Sequence, residues 1–317
     1  MITLRSDVFD VTLAPERGAD IVQVLDRATE VPLFAVSPTG QVTAPRLSPS
    51  DSMVQWLNGY PGGWQLLAPN AGPERTHEGV NQGYHGEAAL AEWIVLGRSD
   101  TTATLATTLL TAPLRLERHV ALEGHELIVT DTVTNLSPDP TTARLVQHPA
   151  FGSPFLDEHS YIVVSAATVV ADADAPGSLA AIDAVGRPSD VLAGGPVPNS
   201  IALPGPGSAE SLFAALTDFP ENATNATFMS PSHGFGIRLS WDRTVYPNAW
   251  LWIEANAGPG WPWFRRMYAV AVEPANVLPG DGATTDGRER GGIGVRLAGG
   301  ESLVSTVRLA RVPLSDT

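Results

Sequence analysis

Apolar and small polar residues alternate with a period of two along most of the chain. In the run ELIVTDTVTNLS, Leu127, Val129 and Val133 fall on one face and the threonines fall on the other. β-Branched residues fill such runs, and clusters of Gly, Pro, Asn and Asp separate them, which is typical of strands joined by turns. The pattern predicts an all-β protein built as a large antiparallel sandwich.

The segment from about Trp93 to Asn135 predicts four consecutive strands joined by short turns. Gly124, in the turn LEGHE, can adopt the positive φ that a tight hairpin needs. Further strand-like runs are YIVVSAATVV, NATFMS, FGIRLSWD, AWLWIEAN, MYAVAVE and LVSTVRLARV. Two loop-rich stretches, 36–88 and 171–209, interrupt the strands, and loops of this length inside a domain are more often functional than idle.

Composition narrows the classes of function. No shift in composition marks a boundary within the 317 residues, so we expect a single domain over residues 1–317. A formal net charge of -15 argues against binding to nucleic acid and to anionic membrane surfaces. The chain has no Cys and no Lys, which excludes disulfides, thiolate chemistry, Schiff-base catalysis and a P-loop lysine. We find no signal-like segment and no apolar run of membrane-spanning length, and we expect a cytoplasmic protein.

Two of the seven histidines stand out by their surroundings. His85 lies in NQGYHGEAALAEW, beside glycines that leave the backbone open. His148 follows a strand-like run in LVQHPAFGSPF, where the next proline cannot donate to a sheet ladder and holds His148 extended. We therefore expect the His148 ring to point off the end of a strand at the edge of the sheet. The remaining histidines have ordinary surface or turn surroundings.

Two glutamates end strands that are otherwise apolar. Glu273 follows the run YAVAV and precedes a proline, and burial there raises the pKa of a carboxyl group toward that of a general base. Glu254, in LWIEANAG, is a parallel case. A structural ion pair with an arginine is the alternative for either residue.

The eight tryptophans suggest a pocket with aromatic walls. Aromatic faces stack on the apolar C–H faces of sugars, while carboxylates and amides bind the hydroxyl groups. Trp56 and Trp64 lie in the stretch leading to His85, and we expect Trp64 and Trp252 to contact a sugar. Four tryptophans bracket Glu254: Trp250, Trp252, Trp261 and Trp263.

A metal site has weak support in the sequence. His85 and Glu87 are at positions i and i+2, which lie on opposite faces of a strand. They would need a loop geometry and a third ligand to share an ion. We expect no metal and no cofactor, while a Ca²⁺ ion held by loop carboxylates stays open.

The order of several motifs resembles that of a known superfamily. A Gly-rich loop with Asn (YPGGWQLLAPNAG) is followed by GYHGEA, a meander ending VTDTVTN, QHPAFG, a late VEPAN and a terminal LAGGESLVSTVRL. From about residue 5 to the C-terminus, this order is similar to that of the aldose 1-epimerase (galactose mutarotase-like) superfamily. The resemblance implies a β-supersandwich whose concave sheet holds a sugar.

The resemblance also implies roles for individual residues. Glu273 matches the base that removes the anomeric hydroxyl proton, His148 the acid that protonates the ring oxygen, and His85 a residue that binds the sugar. Where the family has an arginine-rich GR…NR stretch, this chain reads LLAPNAGPERTHEG. The further substrate-binding candidates in that comparison are Asn70, which is retained, Arg75 as the substitute arginine, Asp242 in LSWDR, and Glu254.

The sequence therefore predicts an enzyme that interconverts the α and β anomers of a free aldose or modified sugar. Its partner would be a small-molecule sugar, and the protein would be a monomer or a homodimer. We expect Gly83 and Gly86 to let the sugar approach the His85 ring. Two alternatives stay open: a carbohydrate-binding protein without catalysis, and a glycan lyase or hydrolase. The latter needs two carboxylates, such as Glu254 and Glu273, with Glu87 as a further candidate.

Overall fold

The computed structural model describes residues 1–39, 51–279 and 294–314. Residues 40–50 of the loop-rich stretch predicted over 36–88 lie outside the described residues. In chain order, the first strands are β1 (Ile2–Arg5), β2 (Phe9–Ala14), β3 (Asp20–Asp26), β4 (Val31–Pro32), β5 (Gly63–Leu67), β6 (Arg75–His77), β7 (Val80–Gln82), β8 (Ile94–Arg98), β9 (Thr102–Thr108), β10 (Leu114–Glu123), β11 (Glu126–Asn135) and β12 (Thr141–Ala143). The later strands are β13 (Val146–Phe151), β14 (Tyr161–Val164), β15 (Thr168–Ala171), β16 (Val185–Gly186), β17 (Ser200–Ala202), β18 (Glu210–Thr217), β19 (Asn225–Ser230), β20 (Phe235–Trp241), β21 (Asn248–Ala255), β22 (Tyr268–Ala275), β23 (Val295–Leu297) and β24 (Ser302–Pro313).

These strands form two large antiparallel sheets. An 11-stranded sheet has the order β1-β2-β3-β5-β13-β22-β21-β18-β15-β16, with β4 paired to β3, and a 9-stranded sheet has the order β17-β14-β19-β20-β24-β11-β10-β9-β8. Two small pairs, β6 with β7 and β12 with β23, complete the described strands. The predicted all-β antiparallel sandwich is confirmed, as is the meander of four strands, which forms β8 to β11.

The two sheets enclose the main apolar core. Alternating residues of both sheets point inward, and Phe151 of β13 packs on Phe228 of β19 with ring centroids 4.1 Å apart. A buried ion pair of the smaller sheet also lies in this core, where Arg118 of β10 donates to both carboxylate oxygens of Asp131 of β11 at 2.8 and 2.9 Å. Gln147 of β13 donates to the same carboxylate at 2.7 Å, so the polar cluster joins one sheet to the other.

The described helices are short and lie in the predicted loop regions. α1 spans Ser52–Gly59, and Asp51 caps it by accepting hydrogen bonds from the backbone N–H groups of its first turn. α2 spans Pro188–Val191, and a 3₁₀ turn spans Pro231–His233. No helix in the described part of the chain is long and apolar enough to cross a membrane.

The expectation that His148 ends its strand, with its ring pointing off the edge of the sheet, is wrong. β13 continues through Pro149 to Phe151, and it lies between β5 and β22 in the middle of the larger sheet. Proline is tolerated here because the pairing of β13 with β22 is interrupted around it: Val146 pairs with Ala275 and Ala150 with Ala271, and the residues between them do not pair. The interrupted pairing lies around His148.

Candidate functional site

A cavity of about 160 Å³ lies on the face of the larger sheet that points away from the sandwich core. A cavity of ~150 Å³ accommodates one benzene ring, so this one has room for a single six-membered ring. Its lining combines seven aromatic side chains with three ionisable ones, and consists of Trp56, Tyr60, Tyr84, His85, His148, Phe213, Trp250, Trp252, Trp263 and Glu273.

The register of β13 and β22 brings the two predicted catalytic residues together. Since Val146 pairs with Ala275 and Ala150 with Ala271, His148 lies opposite Glu273, on the same face of the sheet. His148 Nε2 is 3.6 Å from Glu273 Oε1, and the two side chains are 7 % and 1 % exposed. Two residues that are 125 positions apart in the sequence thus lie side by side at the cavity wall.

Burial governs the protonation of this pair. It raises the pKa of Glu273 well above its ordinary value, and it lowers the pKa of His148 to about 4. A charge-assisted N–H···O hydrogen bond is about 2.7–2.9 Å long, so the 3.6 Å separation fits a neutral pair better than an ion pair. The pair holds one proton over a wide range of pH, and one proton is what a coupled acid and base need.

The loop before β8 presents His85 as a neutral hydrogen-bond donor. The ring atom Nδ1 of His85 accepts from the backbone N–H of Gly72 at 3.0 Å, and the backbone N–H of His85 donates to the Gly72 carbonyl at 2.9 Å. With Nδ1 an acceptor, a neutral ring carries its proton on Nε2. Burial, followed by the proximity of His148, lowers the pKa of His85 well below its ordinary value. His85 can therefore donate from Nε2 without carrying a charge.

The two glycines near His85, Gly83 and Gly86, allow neighbouring loops of the protein to pack closely against the backbone. Gly86 has φ +71°, and a Cβ there would lie 2.2 Å from the Ala68 carbonyl oxygen. A Cβ on Gly83 would lie 3.0 Å from Ser52. The atoms that these glycines accommodate belong to the protein's own loops, and their role in the approach of a sugar stays a prediction.

Helix α1 and its C-cap residue, Tyr60, place two polar atoms without hydrogen-bond partners at the cavity. Trp56 and Tyr60 are one helical turn apart and stack with ring centroids 4.9 Å apart. Trp56 also contacts the His85 ring at 4.5 Å, and Tyr60 contacts the His148 ring at 5.6 Å. Trp56 Nε1 and the Tyr60 hydroxyl are buried without a hydrogen-bond partner in the described residues. Buried donors of this kind need a partner, and a bound ligand with oxygen atoms would supply one.

Of the predicted binding residues, Trp252 lines the cavity and Trp64 does not. Trp252 lies on β21 with its ring 5.7 Å from that of His148. Trp64 is 0 % exposed, belongs to the core between the sheets, and donates from Nε1 to Gln147 at 2.9 Å. The difference is one of face, because neighbouring residues of a strand point to opposite sides of the sheet.

Three further candidates are also placed away from the cavity lining. Asn70 is buried, donates to the carbonyls of Pro73 and Gly83, and accepts from Arg75 Nε at 2.7 Å. This arrangement fixes the loop that carries His85. Asp242 is exposed and accepts from the N–H and hydroxyl of Thr244 in a turn. It lines a separate and larger open groove on the outer face of the smaller sheet.

Glu254 lies on the same strand face as Trp252 but shapes a loop. Its Oε1 accepts from the backbone N–H groups of Ala257 and Gly258, at the start of the loop that brings Trp263 to the cavity. It pairs with Ala269, four positions before Glu273, so the two glutamates are offset by ~14 Å along the strand at ~3.4 Å per residue. Glu87 accepts from the backbone of Leu110 and Thr111 instead.

Sequence reasoning missed Tyr60, Tyr84 and Phe213 as lining residues. Tyr84 was visible beside His85, and its ring is 3.9 Å from the His85 ring. Tyr60 follows the Asp-capped segment DSMVQWLNG, whose N-cap residue signals a helix that would place Trp56 and Tyr60 on one face. Phe213 carries no local signal. In the described part of the chain, no group of three His, Cys, Asp or Glu side chains is arranged to hold a metal ion.

Comparisons with known proteins agree with this architecture. The family model described as a domain of unknown function (DUF4432) matches residues 1–309. No curated protein matches the sequence. Among solved structures, a galactose mutarotase-like protein from Lactobacillus casei is 20% identical with a TM-score of 0.65, and the match covers 98% of this chain and 99% of that one.

Two more structures show the same similarity. A galactose mutarotase related enzyme from Lactobacillus acidophilus is 17% identical with a TM-score of 0.67, covering 99% of this chain and 98% of that one. The Slr1438 protein from Synechocystis is 17% identical with a TM-score of 0.69, covering 98% and 95%. At these identities the likeness establishes the galactose mutarotase-like fold.

Proposed function

We propose that this chain, which belongs to the DUF4432 family, is an aldose 1-epimerase-like enzyme that interconverts the anomers of a free monosaccharide. The observation that carries the proposal is the pairing of His148 and Glu273 at the wall of a cavity sized for one ring. Opening a cyclic hemiacetal requires one proton to be removed and one to be delivered, and a buried acid/base pair can do both.

The chemistry follows from the two side chains. Transfer of the shared proton from Glu273 to His148 gives a carboxylate beside an imidazolium. The carboxylate takes the proton of the anomeric hydroxyl, the C1–O1 bond becomes a carbonyl, the bond from C1 to the ring oxygen breaks, and the imidazolium protonates that oxygen. Rotation about C1–C2 and reversal of the same transfers close the other anomer, so the enzyme returns to its starting protonation state.

The surrounding groups provide binding. The Nε2–H of His85, the indole N–H of Trp56 and the hydroxyl of Tyr60 offer three donors to sugar oxygens. Trp250 donates its indole N–H to the Val277 carbonyl and so offers the cavity only its aromatic surface. Trp252 and Trp263 present further aromatic surface to the C–H face of a ring.

The proposal is tested by measuring anomer exchange. Polarimetry or saturation-transfer NMR on freshly dissolved α-anomers of hexoses and pentoses should show acceleration by the wild-type protein. No acceleration for any sugar, together with ligand-induced shifts, would favour the carbohydrate-binding alternative. The cavity has room for a single ring, which argues against a glycan hydrolase, because such an enzyme must hold the sugars on both sides of a glycosidic bond between its two carboxylates.

The pH dependence of the rate should show a broad plateau. Activity needs one proton on the His148–Glu273 pair. A second proton enters as the pH falls through the pKa of His148, about 4, and the last proton leaves only above the raised pKa of Glu273. We expect kcat/KM to be flat through pH 5–7 and to fall below about pH 4. A profile that already falls between pH 7 and 5 would contradict this assignment.

Removing an aromatic wall should affect binding more than chemistry. We expect Trp252→Ala to raise KM about two- to tenfold with a smaller change in kcat, because an aromatic contact contributes about 0.5–1.5 kcal/mol beyond its area. Steady-state kinetics on the best sugar of the panel would measure both constants. Trp261→Ala is the matched control, since Trp261 is 42% exposed and outside the cavity lining. Equal effects of the two substitutions would remove Trp252 from the binding surface.

A further inference from the structure

A row of four polar residues crosses the centre of the larger sheet. Two of them are the acid/base pair His148 and Glu273, and the other two are Asp20 and Gln65. Asp20 on β3 accepts from Gln65 Nε2 on β5 at 2.8 Å. Gln65 pairs directly with His148 on β13, and His148 lies 3.6 Å from Glu273 on β22. Four adjacent strands thus each contribute one polar side chain to a continuous row.

Every member of this row has one buried polar atom without a hydrogen-bond partner in the described residues. These atoms are Asp20 Oδ1, Gln65 Oε1, His148 Nδ1 and Glu273 Oε2. Unsatisfied buried polar atoms are rare in proteins and costly, so their concentration in one row calls for a physical reason. The outer pair of the row, Asp20 and Gln65, is 0% and 2% exposed and lines no part of the cavity.

The Asp20 contact fixes the orientation of the Gln65 amide. Because Asp20 Oδ2 accepts the hydrogen bond, the amide nitrogen of Gln65 faces β3 and the amide oxygen is left for β13. The residue paired with Gln65 on β13 is His148, whose Nδ1 lacks a partner. The residue that carries the unpaired acceptor is therefore the strand partner of the residue whose ring nitrogen can donate.

We propose that Asp20 and Gln65 are positioning residues for His148, with the Gln65 amide oxygen accepting a hydrogen bond from Nδ1–H of the His148 ring. This contact would hold the proton of the neutral ring on Nδ1 and leave Nε2 facing Glu273 as the nitrogen that exchanges protons. Catalytic hydrogen bonds are often long in unliganded sites and tighten when substrate is bound. The inference rests on the proposed function for its kinetic consequence, while the tautomer itself can be measured without substrate.

The contact also supports the acid form of His148. When Nε2 gains a proton, the ring becomes an imidazolium, and the amide oxygen of Gln65 then accepts a charge-assisted hydrogen bond. Asp20 itself is a buried acid whose pKa burial raises to about 8, against the opposing effects of the Gln65 hydrogen bond and the positive charges of Arg118 and Arg17. Asp20 therefore orients Gln65 through the oxygen that accepts its hydrogen bond, and a negative charge on Asp20 is not needed for this contact.

The experiment combines kinetics with imidazole ¹⁵N NMR on the full chain. We expect Gln65→Met to lower kcat about 10–100-fold with little change in KM, which is the loss found when the partner that orients a metal-binding histidine is removed. In the wild type, the His148 signal, identified by its loss in His148→Gln, should show the Nδ1–H tautomer. In Gln65→Met it should move toward the Nε2–H form. Gln23→Met, a glutamine on β3 that binds backbone N–H groups, should change neither.

Two further substitutions separate orientation from charge. Asp20→Asn keeps an oxygen that can accept from Gln65 and should retain near-wild-type kcat, whereas Asp20→Leu frees the amide to turn and should behave like Gln65→Met. An unchanged His148 tautomer in Gln65→Met would overturn the inference, as would an equal loss of kcat in Asp20→Asn and Asp20→Leu. A wild type that accelerates no sugar but shows the expected tautomers would overturn the proposed function alone.

Discussion

Replacing Glu273 by glutamine is expected to lower the rate of anomer exchange by about a thousandfold or more. General acid–base catalysis contributes ~10²–10⁴-fold, and an amide of the same shape can neither take nor return a proton. Glu273 is 1% exposed, and its Oε2 has no hydrogen-bond partner in the described part of the chain, so the sandwich should remain intact in the variant. Polarimetry of the wild type and of Glu273→Gln on the same sugar would measure the loss.

The same variant has a stability signature that checks the burial of the carboxyl group. The folded-state pKa of Glu273 is raised, so wild-type stability is fully present below the unfolded-state pKa and is lost as the pH rises through the folded-state value. Glutamine resembles the protonated acid and does not titrate. We expect the variant to gain in Tm over the wild type as the pH is raised. Retention of more than a tenth of the activity would remove Glu273 from the mechanism.

Replacing Arg118 by methionine is expected to reduce the free energy of unfolding by about 3–5 kcal/mol, because it leaves the Asp131 carboxylate buried without its cation. Arg118 and Asp131 are 0% and 2% exposed, and the carboxylate keeps only the Gln147 hydrogen bond after the substitution. Urea unfolding followed by tryptophan fluorescence would measure the change.

Two comparisons decide whether this cost comes from the uncompensated charge. The double variant Arg118→Met, Asp131→Leu should recover much of the lost stability, since replacing a whole buried ion pair by apolar residues is often close to neutral. The exposed pair of Arg308 and Glu126 is the matched control, and Arg308→Met should cost less than about 1 kcal/mol. If Arg118→Met lowers the free energy of unfolding no more than Arg308→Met does, the buried ion pair does not stabilise the sandwich.

Local patterns along the chain were enough to predict the strands that face solvent on one side. β11 shows the expected alternation of buried and half-buried residues, and Gly124 adopts φ +58° in the hairpin turn before it. The run YIVVSAATVV was predicted as one strand-like run. In the structure it divides into β14 and β15, which belong to different sheets. Alternation shows that a strand forms, but it does not show where the chain crosses between sheets.

The chemical identity of the central pair could also be predicted from the sequence. A histidine before proline and a glutamate at the end of an apolar run are unusual enough locally to single out His148 and Glu273. Their neighbours were not predictable in the same way. Trp64 was predicted to contact a sugar, yet it lies in the core between the sheets, and its neighbour Gln65, which was not predicted, is the strand partner of His148.

The sequence by itself determined the strand-forming pattern, the order of the motifs and the types of reactive side chain. Only the tertiary structure decided which residues share the cavity. The central strands β5, β13 and β22 are buried on both faces along their whole length, so alternation of polarity cannot say which face meets the cavity. That choice depends on register with strands far away in the sequence, and a shift of one residue would exchange the two faces.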